Sequence, residues 1–518
     1  MADTEISAAE NDEHSQKDVT CIDQAEDIHA ERKTMLAVLQ ECNCCPRCQL
    51  RFQNMRWPPM YSDPKPEVLD SSHSSVTLKG DAEQIDNETS DKSTPVCPLC
   101  LGILQDLCKK SFIHELGNQL KSEDFEFKNY ALTLSLPLEL YIRQHLFLIY
   151  IKTKKVTINR SDVVDIKDVY KWVCGPLMAS ELKVPFKLYS PFEVQMTFQN
   201  AETEAEVEEL LAGPPPKKKK RRFYKPKPLK KEPATKQQVI NKLKEKSNEE
   251  LKEMFSIPPT SPTLCSVCKV EGIHQSIFVA GRYNKYSRSL SQTPWILDGT
   301  RMTPSSVQEL VCDSMKEMFR ASAYNFVASG REDVDVKTLG RGRPFAVELN
   351  SPRRTVFTDE DMKSLQEKIN SMTTSIAVRD LQIVTREDTS KLKEGEQEKT
   401  KDYSALIRLA DEVTQEMLDS FSKIEKLTVQ QKTPIRVLHR RPLATREKII
   451  HSMSASPVDS HHFKLHLCTQ AGTYIKEFVH GDFGRTQPNV SSLLKTEADI
   501  LTLDVEAVNL DWPKALDT

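Results

Sequence analysis

Gly330-Arg331-Glu332-Asp333-Val334-Asp335-Val336 is the stretch on which this chain's fold and chemistry turn. By itself it is a charged turn opened by a glycine. Outward from it lie apolar runs of strand length, Ser276 to Ala280, Phe345 to Leu349 and Leu501 to Val505. Between them Asp359 to Met372 repeats its apolar residues at helical spacing. That pattern, without an internal repeat, predicts an α+β unit around a mixed sheet over residues 270–518. Asp333 and Asp335 stand two residues apart, so on a strand they would share a face and compete for one role.

The 518 residues are too many for one ordinary core, and two or three domains are expected. Residues 1–29 are acidic and lack the apolar core of a secretory signal. The most apolar stretch, Tyr130 to Ile151, is interrupted by Pro137, Glu139, Arg143, Gln144 and His145, which excludes a membrane span. An accessory α/β domain is expected over residues 30–200. Within it Ala131 to Leu136 alternates as a half-buried strand, Leu138 to Lys152 follows as a helix, and residues 58–95 form a polar insert. Residues 201–269 read as a linker holding an acidic helix over Glu202 to Glu209 and a basic run, Lys217 to Arg222, among prolines. One amphipathic helix follows over Lys236 to Met254. The basic run has the composition of a nuclear import signal and of an RNA-binding arm, implying a protein of nucleus and cytoplasm.

The chain has 13 cysteines. In a reducing compartment, paired cysteines argue for metal rather than disulfides. Cys45-Pro46-Arg47-Cys48 and Cys97-Pro98-Leu99-Cys100 are two copies of one knuckle. Two thiolates separated by two residues can share an ion from a tight turn, and four close a tetrahedron with no open position. One structural zinc ion on Cys45, Cys48, Cys97 and Cys100 is expected, with Cys42 and Cys44 close enough to shift the set. The long insert between the knuckles is no obstacle, because loop-closure cost grows logarithmically while structural zinc supplies on the order of 10–16 kcal/mol. Cys265 and Cys268 have no second pair nearby and read as unligated. His461 and His462, adjacent on a strand, read as surface histidines rather than a metal pair.

Three C-terminal segments concentrate basic and aromatic residues: 281–288, 433–441, and 470–477 with His480, Asp482, Arg485 and Thr486 beyond it. Phosphate contacts interleaved with stacking faces suit RNA. Arg282, Tyr283, Lys285, Arg331, Arg440 and Arg441 are the expected RNA contacts. No glycine loop for a nucleotide is evident, so no organic cofactor is expected.

Gly330-Arg331-x-Asp333 resembles the catalytic motif of pseudouridine synthases, Gly472-Thr473-Tyr474-Ile475-Lys476 the superfamily's basic segment, and Tyr403 in Lys401-Asp402-Tyr403-Ser404 its active-site tyrosine. The longer runs, Phe278 to Tyr283, Gly330 to Leu349 and Thr469 to Asn489, resemble the archaeal and eukaryotic synthases acting on the TΨC arm of tRNA. The resemblance covers nearly the whole chain. It implies a zinc-bearing, THUMP-like N-terminal domain and a tRNA partner, other structured RNA included, for a monomeric isomerase. The resemblance implies a uridine target at position 54, position 55 or both. It implies Asp333 as nucleophile, Lys476 (with Arg331) as the cation that keeps it charged, and Tyr403 as the cover of the flipped base and helper in the final proton removal. The competing expectation is a non-catalytic RNA-binding protein using the same surfaces.

Overall fold

The alternation in Ala131–Ser135 buries Leu132 and Leu134 and exposes Thr133 and Ser135, which makes the segment a strand, β1. The computed structural model describes residues 30–64, 95–212, 233–392, 399–439 and 441–516. The acidic tail, most of the 58–95 insert, the Lys217–Arg222 run and Arg440 lie outside the described residues. The chain divides into two units, Met1–Ile273 and His274–Thr518. Among the described residues no helix is long and apolar enough to cross a membrane.

In the first unit β1 pairs in parallel with β2 (Phe192–Gln199), and β3 (Ser266–His274) completes a three-stranded sheet. Helices α1 (Pro46–Phe52), α2 (Lys110–Ser122), α3 (Glu139–Thr153) and α4 (Ile166–Leu182) belong to the same unit. The helix α3 is apolar nearly all round because it serves two cores. Phe147, Leu148 and Ile151 join the main one, while Ile142, Leu146 and Ile149 join a smaller one.

That smaller core corrects the expected linker. Residues 201–269 are not merely a spacer: they form α5 (Glu204–Leu211), α6 (Lys236–Glu245) and α7 (Asn248–Met254), then the start of β3. Val207, Leu210, Val239, Leu243 and Leu251 form the apolar stripe that packs on α3. The adjoining charged run hides this stripe from any reading based on composition. The single helix expected over Lys236–Met254 is two, because the Ser247 side chain and the Glu250 carboxylate cap each other's backbone N–H and restart the helix.

The second unit is built on a ten-stranded mixed sheet. Its strands are β4 (Ile277–Lys285), β7 (Ala323–Ala328), β8 (Lys337–Asn350), β9 (Ile376–Val384), β10 (Lys401–Leu409), β11 (Leu427–Lys432), β12 (Thr445–Pro457), β13 (His462–Thr469), β14 (Thr486–Gln487) and β15 (Ala498–Val508). Their order is β14-β11-β12-β13-β10-β15-β8-β4-β9, with β7 also on β8, while Ile296–Leu297 (β5) and Thr300–Arg301 (β6) make a separate hairpin. The helix α8 (Val307–Phe319) and the predicted helix α9 (Asp359–Met372) cover one core; α10 (Gln415–Ser422), α11 (Ile475–His480) and α12 (Val490–Leu494) cover another.

The long strand β8 changes neighbours part-way. Lys337 and Thr338 pair in parallel with β15, whereas Phe345–Asn350 pair with β7 on that same edge. At the exchange Gly340 and Gly342 take φ of +55° and +79°, and a Cβ would meet the Glu506 carbonyl at 2.2 Å and the Tyr283 carbonyl at 2.7 Å. Only glycine fits such a bend. The β7–β8 connection, which carries Asp333, therefore sits where the sheet splits.

Candidate active site and metal centre

Residues 329–336 leave β7 as a loop held from beneath. Gly330 has φ +86°, and a Cβ there would stand 2.6 Å from Lys401 Nζ. Glu332 turns inward, its carboxylate 2.8 Å from Arg343 Nε with both side chains buried. Tyr283 donates its hydroxyl to the same carboxylate at 2.9 Å. Gln292 Nε2 donates to the Tyr283 hydroxyl and to the Gly330 carbonyl, and Arg343 Nη1 donates to the Ser329 carbonyl. On the far side Lys285, fully buried, donates from Nζ to the carbonyls of Leu290, Asp333 and Val334 at 2.9, 3.2 and 2.7 Å. Burial depresses the Lys285 ammonium to about 8. Next to the pinned Glu332, Asp333 lines a cavity of about 900 Å³.

The Asp333 carboxylate meets two cations. Arg436 Nη1 lies 2.8 Å from Oδ2, and Lys476 Nζ lies 3.5 Å from the same oxygen. Arg436 is braced by Glu477, a buried carboxylate 2.7 Å from its Nε. Lys476 leans mainly on Asp335, at 2.8 and 2.9 Å. Burial works against the Asp335 charge, but Lys476 outweighs it and holds that carboxyl below the usual carboxylate range. Asp335 has 60% of its side chain exposed and is no part of the cavity wall. Geometry thus distinguishes the two aspartates: the loop is a turn rather than a strand, and although both carboxylates reach Lys476, only Asp333 lines the cavity and meets Arg436. Lys476 is the expected cation only in part, since Arg436 is closer. Its pairing with Glu477, 41 residues away, leaves no local signal in sequence.

Tyr403 on β10, with Leu503 and Val505 on the adjacent β15, supplies an aromatic and aliphatic part of the wall. Burial raises the Tyr403 phenol, so it stays protonated at neutral pH. That suits a face and a hydrogen-bond partner better than a standing phenolate base. Eight basic side chains line the cavity against two acids, Glu332 and Asp333, which suits a polyanion.

Residues 278–509 match the family model described as Pus10, C-terminal, and residues 97–274 match eukaryotic Pus10, N-terminal. The chain is 44% identical over 526 residues to the Mus musculus protein described as tRNA pseudouridine synthase Pus10, covering 94% of this chain and 99% of that one. Proteins of the same description from Homo sapiens and Xenopus laevis are 42% and 43% identical, covering 94% and 95% of this chain and 99% of each relative. The chain belongs to the Pus10 family.

Within this Pus10 chain several expected RNA contacts move inward. Arg282, Tyr283 and Lys285 are buried on β4, a strand with β8 on one edge and β9 on the other. Arg282 donates five hydrogen bonds, to the carbonyls of Arg341, Gly342, Val508, Leu510 and Trp512, which uses every N–H of a guanidinium. Those three residues hold the unit together and do not form a phosphate surface. Arg331 and Arg441 are exposed and line the cavity, as an RNA contact requires.

The two knuckles of this Pus10 chain converge. The sulfurs of Cys45, Cys48, Cys97 and Cys100 all lie within 4.8 Å of one another, buried, with Cys45 and Cys100 at 3.8 Å. A tetrahedron of thiolates about 2.3 Å from zinc has sulfurs about 3.8 Å apart, so the donor set fits that ion. The buried Arg51 donates to Cys48 Sγ at 3.4 Å and offsets part of the thiolate charge. Cys42 and Cys44 stay outside the group. Cys265 donates to the Gln199 carbonyl and Cys268 to the Thr197 carbonyl, while His462 pairs with Asp459 and His461 with the Asp411 carbonyl.

Proposed function

We propose that this chain is a tRNA pseudouridine synthase that isomerises uridine in the TΨC loop, at either or both of its two neighbouring uridines. The observation that carries the reading is Asp333, projecting into a cation-lined cavity between Arg436 and Lys476 with Tyr403 in the same wall. In the reaction the C1′–N1 bond of uridine breaks, the uracil turns, and C1′ bonds to C5. The proton lost at C5 is balanced by one gained at N1. Asp333, paired with two cations, stands ready to stabilise the sugar as the base departs. The target must leave its stack to enter, at roughly a few kcal/mol, and phosphate contacts from Arg331 and Arg441 offset that cost.

The N-terminal unit, read as THUMP-like, grips a remote part of the tRNA, so that distant binding energy positions the reacting base. One structural zinc ion on the four cysteines stabilises that unit and takes no part in the reaction. The chain acts as a monomer in nucleus and cytoplasm, with Lys217 to Arg222 as the import signal; deleting that run should move protein to the cytoplasm, and an unchanged distribution would refute it. Elemental analysis of protein purified without chelator should give one zinc per chain, and a value far below one would refute the metal site. The activity is tested by incubating purified protein with an unmodified tRNA transcript and mapping pseudouridine at single-nucleotide resolution. Signal is expected in the TΨC loop; signal elsewhere would overturn the target, and no signal would overturn the activity.

A further inference from the structure

Four consecutive residues, Gly481, Asp482, Phe483 and Gly484, take φ of +78°, +45°, +55° and +77°. Two glycines adopt such angles freely, but for a bulky aromatic residue the left-handed region is an outlier. The turn is also locked. Asp482 is buried; its Oδ2 accepts from the Ile435 N–H at 3.3 Å and lies 3.5 Å from Arg485 Nε. Arg485 Nη2 donates to the Thr433 carbonyl at 2.6 Å, and Thr486 N–H donates to the Gly481 carbonyl. Against this anchoring, the Phe483 side chain is 95% exposed. A fold that needed only the turn would be served better by glycine or asparagine.

The turn is not remote from the chemistry. It follows α11 directly, and Ile475 and Lys476 of that helix line the cavity. Phe483 stands three residues beyond the end of that helix. Asp482 meanwhile ties the turn to Ile435, the neighbour of Arg436, which touches Asp333. Arg436, Arg441 and Arg446 make that side of the cavity cationic.

The geometry points to Phe483 as a stacking platform for an unpaired nucleobase of the RNA, next to the uridine that enters the cavity. The inference rests on the synthase reading, because it takes the cavity's occupant to be a flipped nucleotide. Every base has a π-face, so an exposed phenyl ring can hold a neighbour of the flipped nucleotide without reading its identity. The locked turn sets the ring beforehand, which spares the ordering cost on binding.

The test is the affinity of the purified full-length protein for an unmodified tRNA transcript, measured over a salt series. Phe483→Ala should raise Kd roughly five- to a hundred-fold, the worth of one aromatic–base stack, by the same factor at each salt. An electrostatic contact would instead change the salt slope. Phe483→Trp should restore affinity, with its added tryptophan emission quenched by the RNA. Phe483→Gly should weaken binding as alanine does while raising the melting temperature, since it frees the left-handed turn from strain. Unchanged affinity in the alanine variant would overturn the inference, as would a glycine variant that is less stable than the parent, for then the ring serves the fold or another partner. Pseudouridine formation by the parent protein in the same preparation separates this failure from a failure of the synthase reading.

Discussion

Residues 281–288 and 433–441 are equally basic, with three arginines or lysines each, set among tyrosines in the first and aliphatic residues in the second, yet they end in opposite places. The first is mostly central strand: Arg282 spends its five donors on backbone carbonyls, and Lys285 spends two of its three on the loop that carries Asp333 and the third on Leu290. The second is a connection between edge-side strands, and its Arg436 reaches the Asp333 carboxylate directly while Arg441 lines the cavity. Basic composition alone therefore does not mark an RNA surface. What decides is whether the sheet leaves the strand an open face, and β4 has none. The first segment builds the site from behind and the second furnishes it from the front.

The largest effect should come from the buried segment. Arg282→Ala leaves five carbonyls without their donors, and equilibrium unfolding should show a loss of more than about 3 kcal/mol, whereas Arg441→Ala should stay within about 0.5 kcal/mol. A mild Arg282 variant with weakened RNA binding would break the comparison. Next, Lys285→Met should lower kcat about tenfold or more, by loosening the Asp333 loop, while the Kd for tRNA stays within about twofold. A phosphate contact would do the reverse.

The same lysine gives a pH dependence. Its ammonium sits at about 8 when folded against an ordinary 10.5. Between those values the unfolded chain holds the proton and the folded chain does not, so this group's contribution to stability rises with pH across that window. Its deprotonation removes one N–H from the latch. Glu332 and Asp335 favour the charged form, while Arg343 and Arg288 oppose it. The kcat of the parent should fall above about pH 8 and that limb should be absent from Lys285→Met; a persisting limb would assign it elsewhere. The smallest effect is Arg441→Ala, which should weaken tRNA binding modestly and reduce the salt slope by about one ion.

Local signals survived the passage from sequence to structure, and non-local ones did not. The knuckle spacing found all four cysteines, and helical periodicity placed Asp359–Met372 at the observed bounds. The strand cores at Phe345 to Leu349 and Leu501 to Val505 were legible, but β8 runs on through Gly340 and Gly342 because it exchanges β15 for β7, which no window of sequence reveals. The helices around Glu202–Glu209 and Lys236–Met254 were legible, but their joining into a core was not, because their apolar stripe faces α3, some 60 to 110 residues earlier, and is diluted locally by charge. Asp333 was legible through its motif, and its separation from Asp335 was not, because the turn that divides them depends on Glu332 finding Arg343 and on Lys285 finding two carbonyls.

The most direct test of that separation is single-turnover pseudouridine formation by Asp333→Asn and Asp335→Asn, each bound to the same unmodified tRNA transcript. Asp333→Asn should bind RNA and form no pseudouridine, while Asp335→Asn, which removes only the outer partner of Lys476, should still turn over. Pseudouridine formed by the first variant and lost in the second would contradict the account.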